Sequence, residues 1–349
     1  MRLRAGRRPI SVKAALMCLG LWLSCCSSFL CFGAGPAFAD AKPTAPSVAS
    51  ILTPDEVVPL WPGPPRGAPD ILPSETIVFR TNPFGLVDRA AHNVAAPSLS
   101  IFRPKQSNGA AILIVPGGGF SWVVIDKEGF EGANYFAKLG YHVYVLRYRL
   151  PHQGWHAGPD TPLQDAQRAI RLMRARAQQD HIHLNNIMVM GFSAGGHVAG
   201  ALAMRFDDPV APPVDNIDQL SARPDLAALI YPVVTMVEPY AHPKSRDNLI
   251  GKNPSPLAIA KHSLETNPNP RTPPIFILHA GDDRAVPVEN ALRLYSALRA
   301  AHIPATLHAF EHGGHGFGFR GLKNTPLEKW PTLILDWSQT HNFPPPIAL

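Results

Sequence analysis

The tightest constraint on the fold sits at residues 187–204. An apolar strand, Ile187 to Met190, runs without a linker into Gly191-Phe192-Ser193-Ala194-Gly195-Gly196, and an apolar helix, Ala194 to Met204, begins inside that same turn. Such a junction belongs where a buried strand passes directly to a helix packed on its own sheet. The rest of the chain repeats the alternation. Apolar runs at Ala110 to Val115, His142 to Leu146, Leu226 to Tyr231, Ile275 to His279 and Thr306 to Phe310 read as strands. Thr76 to Phe79 and Leu99 to Phe102 read as shorter ones. Helical spacing covers Phe130 to Leu139, stopped by Gly140, and also Pro162 to Gln178, Val288 to Ala300 and Pro326 to Gln339. In the second of these, Leu163, Ala166, Ile170 and Met173 line one face, and Asp165 is expected to pair with Arg168 or Arg171 on the helix surface. The expected architecture is α/β, with a mostly parallel central sheet and helices on both faces, over 76–349. Two stretches break the rhythm. Residues 40–75 are rich in Pro, Ala and Gly, as in Trp61-Pro62-Gly63-Pro64-Pro65, and read as an irregular leader. Residues 232–274 hold many prolines and no long periodic segment, and read as an insertion after a strand, a candidate lid.

The turn at 191–196 also carries chemistry. A G-x-S-x-G string is common by chance, but between a buried strand and a helix it forms a nucleophile elbow, in which the serine hydroxyl projects from the sheet beside a helix N-terminus. Ser193 is therefore the expected nucleophile, and it needs a base to take its proton. In the chain order of serine, acid, histidine, the base is His315, on the loop His312-Gly313-Gly314-His315-Gly316-Phe317-Gly318. His312 is the competitor, while His279, His302 and His308 fall within or beside elements. The acid is Asp283, just before Val286-Pro287, with Asp282 as a turn or capping residue. A carboxylate bonded to the imidazole fixes its tautomer and stabilises the cation formed during reaction. The developing oxyanion would be met by the N–H groups of Ala194 and of Gly118 and Gly119, in the glycine turn after Val115. Trp122 and Trp155 could stack on a sugar, or serve as ordinary packing aromatics. His308-Ala309-Phe310-Glu311-His312 matches a zinc pattern literally, but it reads as a strand entering a glycine loop and not as one helical face, so no metal is expected.

Four stretches together resemble the α/β-hydrolase superfamily: Gly117-Gly118-Gly119-Phe120, Gly191-Phe192-Ser193-Ala194-Gly195-Gly196-His197, Asp283-Arg284-Ala285-Val286-Pro287 and Gly314-His315-Gly316-Phe317. The likeness is strongest to its acetylesterase, xylan-esterase and feruloyl-esterase-like branch, related to hormone-sensitive-lipase-like esterases. It covers roughly 57–341 and is supported by Leu60-Trp61-Pro62-Gly63, Leu139-Gly140-Tyr141, Arg147-Tyr148-Arg149-Leu150-Pro151 and Asp165-Ala166-Gln167-Arg168-Ala169-Ile170-Arg171. One departure is Pro116, where many lipase relatives carry a histidine that helps hold the oxyanion loop. The resemblance implies hydrolysis of short acyl esters, often acetyl groups on polysaccharides or oligosaccharides, without a cofactor. Two other readings stand beside it. A serine peptidase of the prolyl-peptidase type shares the fold and triad order, but the leader is too short for that type's extra domain. A non-catalytic binding protein on the same scaffold usually lacks a triad member.

The N-terminus reads as an export signal. Arg2, Arg4, Arg7, Arg8 and Lys13 precede an apolar run from Ala14 to Phe32, and Ala37-Phe38-Ala39 offers small residues for cleavage after Ala39. An uncleaved anchor is the alternative, although Ser24, Ser27, Ser28 and the cysteines dilute the run. Pro9-Ile10 fits poorly behind Arg7-Arg8 as a twin-arginine signal. Removing the five basic residues of 1–39 leaves 27 basic against 26 acidic side chains, so the basic balance is a targeting feature and does not point to nucleic acid. All four cysteines, Cys18, Cys25, Cys26 and Cys31, fall in the signal, which leaves the mature chain without a thiol nucleophile or a disulfide. The expected product is periplasmic or extracellular, acts on a small-molecule or oligosaccharide ester, and has no stable membrane association after cleavage. The sequence leaves its oligomeric state open.

Overall fold

The computed structural model describes residues 51–347 apart from Arg66 and Asn267; the signal and cleavage site, and residues 40–50 of the leader, lie outside the described residues. The strands are β1 (Glu56–Pro59), β2 (Thr76–Phe79), β3 (Arg89–His92), β4 (Ser98–Phe102), β5 (Ala111–Val115), β6 (Val123–Val124), β7 (His142–Arg147), β8 (Ile187–Phe192), β9 (Leu226–Ile230), β10 (Ile275–Ala280) and β11 (Ala305–Phe310). Among the described residues seven α-helices accompany them: α1 (Glu131–Lys138), α2 (Thr161–Ala175), α3 (Ala194–Met204), α4 (Pro243–Ile250), α5 (Pro256–His262), α6 (Glu289–Ala300) and α7 (Trp330–Gln339). Eight strands form the main sheet in the order β1-β4-β7-β5-β8-β9-β10-β11. All neighbours from β7 to β11 are parallel, and β1 and β4 close one edge antiparallel.

The continuous apolar strands have a simple cause, because each serves two cores. Ala111, Leu113 and Val115 of β5 face one, packed with Leu163, Ala166 and Ile170 of α2, Val198 and Leu202 of α3, and Leu294 and Leu298 of α6. Ile112 and Ile114 face the other, packed with Phe136 of α1 and Trp330, Ile334 and Trp337 of α7. Alternate residues go to opposite faces, so a strand covered on both sides has no polar position. The α/β architecture expected from the sequence is the one observed.

The leader reading is corrected for part of its length. Glu56–Pro59 pairs with β4, Glu56 opposite Ile101 and Pro59 opposite Ser98. Local proline content concealed it, yet an edge strand accommodates proline because one row of its N–H groups faces away from the sheet. Immediately downstream, Leu60 is fully buried and the Trp61 indole donates to Asp165 at 2.9 Å. The same docking overturns the surface pair read for Asp165. This carboxylate is fully buried and forks onto Arg149, with Nη2 at 2.7 Å and the Arg149 amide at 2.8 Å. Arg168, 2% exposed, grips Asp215 through two bonds of 2.6 Å and donates to the Leu60 carbonyl at 3.0 Å. A helix-surface pair needs solvent around it, whereas the leader covers this side of α2, where the charges are paired and hydrogen-bonded at every group but Arg149 Nη1.

Short strands β2, β3 and β6 form a separate antiparallel sheet, and only the first was visible in the sequence. The 232–274 insertion contains α4 and α5, each too short to show a period. It is fastened beneath the elbow helix. His197 of α3 donates from Nε2 to the carbonyl of His262, the last residue of α5, at 2.8 Å. Burial pulls His197 down to about 4 from a usual 6.5. Burial, and then the neighbouring His197, pull His262 down to about 3. The folded chain therefore refuses protons that the unfolded chain accepts below about pH 6.5. Stability is fully present above that pH and declines as the pH falls toward 4. We expect His197 alone to cost about 2 kcal/mol of unfolding free energy between pH 7 and pH 4.5. Urea melts of wild type and His197→Asn at the two pH values should show a shallower pH dependence in the variant. Identical slopes would rule this histidine out.

Candidate active site

The site lies at the C-terminal ends of the parallel strands, where loops from separate crossovers converge. Ser193 directly follows β8 with φ 54° and ψ −120°, a left-handed conformation in a non-glycine residue. Its amide donates to the Ile230 carbonyl at 3.0 Å, and its own carbonyl accepts from Val233 at 3.0 Å and His197 at 3.2 Å, so the strained turn is held from both sides. The elbow also needs its glycine at 195. A Cβ there would stand 2.1 Å from the Val115 carbonyl oxygen and 2.4 Å from that of Pro116.

From this turn the Ser193 hydroxyl lies 2.8 Å from His315 Nε2. His315 Nδ1 lies 2.6 Å from Asp283 Oδ2, and the other Asp283 oxygen accepts from the Ala285 and Val286 amides, both at 2.9 Å. Burial alone would raise the Asp283 carboxyl. Hydrogen bonds from His279 and His315, with the His315 charge and the Val286 amide, outweigh it and hold Asp283 far below the usual carboxylate range. His279 is wholly buried at the end of β10, bonded through Nε2 to the Val286 carbonyl at 2.9 Å and 3.3 Å from Asp283 Oδ2. Asp282 is a loop anchor: one of its oxygens accepts from the Gly313 and Gly314 amides at 2.9 and 2.8 Å, fixing the loop that carries His315. His312 points into solvent with its side chain 77% exposed, beside Asp282 and Glu311.

The glycine strip after β5 borders the serine. A Cβ at Gly117 would sit 2.8 Å from the Ser193 Cβ. Among the described residues, none accepts a hydrogen bond from the N–H of Gly118, Gly119 or Ala194. Three side chains hold the strip. Buried Glu128 accepts from the Gly117 amide at 2.9 Å, and from Tyr231 Oη at 3.2 Å. Asn248 of α4 donates to the Gly119 carbonyl at 2.8 Å. Trp122 packs so closely that a Cβ at Gly118, where φ is +133°, would lie 2.2 Å from its ring. Tyr231 links this support to the histidine loop: its ring meets His315 edge-on at 5.0 Å, and its hydroxyl accepts from the Gly318 amide at 3.1 Å. Burial, then the Glu128 charge, push the Tyr231 hydroxyl well above its ordinary range, so it stays protonated. Sequence reasoning missed Glu128, Tyr231, Asn248 and the contact of His279 with Asp283. Only the Pro116 departure signalled that the strip needed another support.

The two tryptophans part company. Trp122 is half-buried at the site, edge-on to His92 at 5.0 Å, with Arg80 and the Lys244 ammonium over its ring at 5.5 and 5.0 Å. Trp155 is 3% exposed under Arg149, whose guanidinium lies 4.7 Å over the ring, so it has no face for a sugar. His308 stacks on Phe276 within the sheet at 5.0 Å. Among the described residues no group of three or more His, Cys, Asp or Glu side chains is arranged to hold a metal.

Residues 99–298 match the BD-FAE family. The chain is 35% identical over 223 residues to an acetylxylan esterase of Xylanibacter ruminicola, covering 62% of this chain and 43% of that protein. It is 37% identical over 205 residues to endo-1,4-beta-xylanase B of Butyrivibrio fibrisolvens, covering 59% and 32% respectively. The chain thus spans less than half the length of these curated relatives. Among solved structures, an acetyl ester-xyloside bifunctional hydrolase from Caldicellulosiruptor lactoaceticus superposes with a TM-score of 0.69 at 31% identity, over 84% of this chain and 98% of that one.

Proposed function

We propose, on the premise that this chain belongs to the BD-FAE family of α/β hydrolases, that it is a serine carboxylesterase acting on short acyl esters, acetyl groups on carbohydrates foremost. The observation that carries this reading is the continuous relay from Ser193 Oγ to His315 at 2.8 Å and on to Asp283 at 2.6 Å, built on a strained elbow. In the proposed reaction, Ser193 attacks the ester carbonyl while His315 Nε2 takes its proton. The carbonyl oxygen becomes an oxyanion facing the N–H groups of Gly118, Gly119 and Ala194. His315 returns the proton to the departing alcohol, leaving Ser193 acylated. Water then attacks that acyl group with His315 again as base, releasing the acid and restoring the hydroxyl. Asp283 keeps the proton on Nδ1 throughout, so that Nε2 starts as an acceptor.

The preference for short acyl groups is supported by α4. Ser245 Oγ in its first turn and His242 Cε1 just before it stand 3.8 and 3.9 Å from where a Gly119 side chain would begin, ordinary contact distance, so they wall the end of the oxyanion strip. The carbohydrate half is supported by the acetylxylan esterase and acetyl ester-xyloside hydrolase relatives. The basic, apolar, Ala37-Phe38-Ala39 start supports export before the enzyme meets its substrate.

A panel of p-nitrophenyl acetate, butyrate and decanoate, an acetylated xylo-oligosaccharide and an aminoacyl-p-nitroanilide tests the reading. Acetate should exceed decanoate in kcat/KM by at least about tenfold, since each misplaced methylene costs about 1–3 kcal/mol. The anilide should stay intact. Anilide turnover at a rate comparable with the acetate would make the protein a peptidase, and inertness to every ester would make it a binding protein.

A further inference from the structure

A cavity of about 680 Å³ opens beside the candidate base, lined by His315, Gly316 and Phe317 but not by Ser193 or the oxyanion glycines. Because His315 delivers its proton to the leaving alcohol, the space against it belongs to the alcohol half of the ester and not to the acyl half. This placement rests on the esterase reading above. The lining is chemically uneven. Phe84, half-exposed, with Leu322 and Leu327 gives it an apolar side suited to a sugar ring. Against these stand three cations, Arg80, Lys127 and Arg320, and one carboxylate, Asp88.

The single carboxylate is already engaged. Asp88 is 2% exposed and lies 3.3 Å from Arg80 and 3.6 Å from Arg320. Arg320 is 5% exposed and is further bonded to Glu131 and to the Val87 carbonyl. Lys127 remains. It is half-buried, and no described residue forms an ion pair or hydrogen bond with its ammonium. Its ammonium lies 3.1 Å from where a side chain on Gly316, next to His315, would begin, with Glu128 Oε1 3.7 Å from that same point. Three cations thus share one buried carboxylate, with Lys127 reaching Asp88 only through the field, so the lining keeps a net positive charge that an arriving anion relieves.

We infer that this cavity is a subsite for an acidic sugar, whose carboxylate meets Lys127 and the exposed side of Arg80 while its ring lies against Phe84. The chain would then prefer acyl esters whose alcohol half carries a carboxylate. The reaction itself is unchanged, and the anion is not consumed.

Two substrates that differ only at the sugar's C6 decide the matter: the monoacetate of a methyl glucuronoside, with a carboxylate there, and of a methyl glucoside, with a hydroxymethyl. Mono-p-nitrophenyl succinate against p-nitrophenyl acetate provides the acyl-side arm. With the full chain, the acidic sugar acetate should have a kcat/KM about tenfold above the neutral one, expressed in KM, as fits one charge-assisted contact. About 0.5 M salt, where screening acts within roughly 4 Å, should shrink the ratio. In Lys127→Met the ratio should fall close to one, and Lys127→Arg should keep most of it. The ratio is read within each variant, so a general loss of activity does not distort it. Equal rates on the two sugars, a ratio indifferent to Lys127→Met, or a charge preference confined to the succinyl arm each overturn the subsite while leaving the esterase intact. Failure to cleave p-nitrophenyl acetate along with both sugars removes the esterase reading first.

Discussion

Ser193→Ala should lower ester hydrolysis by at least about 10⁴-fold and as much as about 10⁶-fold, with the fold kept. The substitution removes one oxygen, the hydroxyl that lies 2.8 Å from His315 Nε2. What survives in the site is the row of N–H groups at Gly118, Gly119 and Ala194 proposed to meet the oxyanion, and the residual rate expected of such a variant comes from those donors and from binding. The turn itself does not depend on the hydroxyl. It is held by backbone bonds to Ile230, Val233 and His197 and by the close approach of Gly195 to the end of β5. The φ of 54° is no harder for alanine than for serine. Thermal unfolding should therefore move by no more than the net worth of one hydrogen bond, about 1 kcal/mol. The measurement pairs turnover of p-nitrophenyl acetate with a melting curve on the same preparation. A variant that melts normally and retains near wild-type turnover sinks the serine mechanism. A variant that is inactive because it is unfolded says instead that the elbow needs its hydroxyl to form.

Strands and helices that serve a two-faced core were legible in the sequence because burial on both sides leaves no polar position, as in Ala111–Val115 and Ile187–Phe192. Ser193, Asp283 and His315 could be singled out because each sits in a short turn whose glycines and chain order carry meaning by themselves. The misreadings concern interactions that span long sequence distances. Asp165 and Arg168 looked like neighbours on a helix surface, and only the docking of Leu60 and Trp61, over a hundred residues away, turns that surface into an interior. Proline hid β1 for the same reason, since an edge strand is defined by its partner β4 and not by its own composition. Glu128 was the least visible of all. Asp126-Lys127-Glu128 precedes the helical spacing read from Phe130 and carries no period of its own, yet Glu128 sits in a wide π-type turn, 3% exposed, bonded to Gly117 and to Tyr231. Nothing in the local pattern marks a carboxylate that will be enclosed by residues from two other crossovers.

That enclosure leads to the second large effect. Glu128→Ala should cut kcat on a short ester by about 10²–10³-fold, with KM changing far less. Glu128 does not reach the reacting atoms and acts by positioning. Its Oε2 fixes the amide of Gly117, which precedes the two glycines proposed to meet the oxyanion, and its Oε1 accepts from Tyr231, whose ring supports His315. Pro116 supplies no side-chain donor or acceptor to do this, and its own carbonyl is occupied by the Tyr148 hydroxyl at 2.9 Å. Without the carboxylate, the Gly117 amide and the Tyr231 hydroxyl lose a buried acceptor, which costs about 1–3 kcal/mol of stability and frees the strip to drift. A misplacement of about 1 Å is enough for a hundredfold loss, because the donors must fit the oxyanion and not the ground-state carbonyl. Glu128→Gln separates position from charge. Its amide oxygen can still accept from Gly117, so it should recover much of kcat, while its amide nitrogen cannot accept from Tyr231. A carboxylate with a purely structural role would lower the melting temperature in Glu128→Ala but leave kcat, measured well below that temperature, within about twofold of wild type; that result would remove Glu128 from the support of the oxyanion strip.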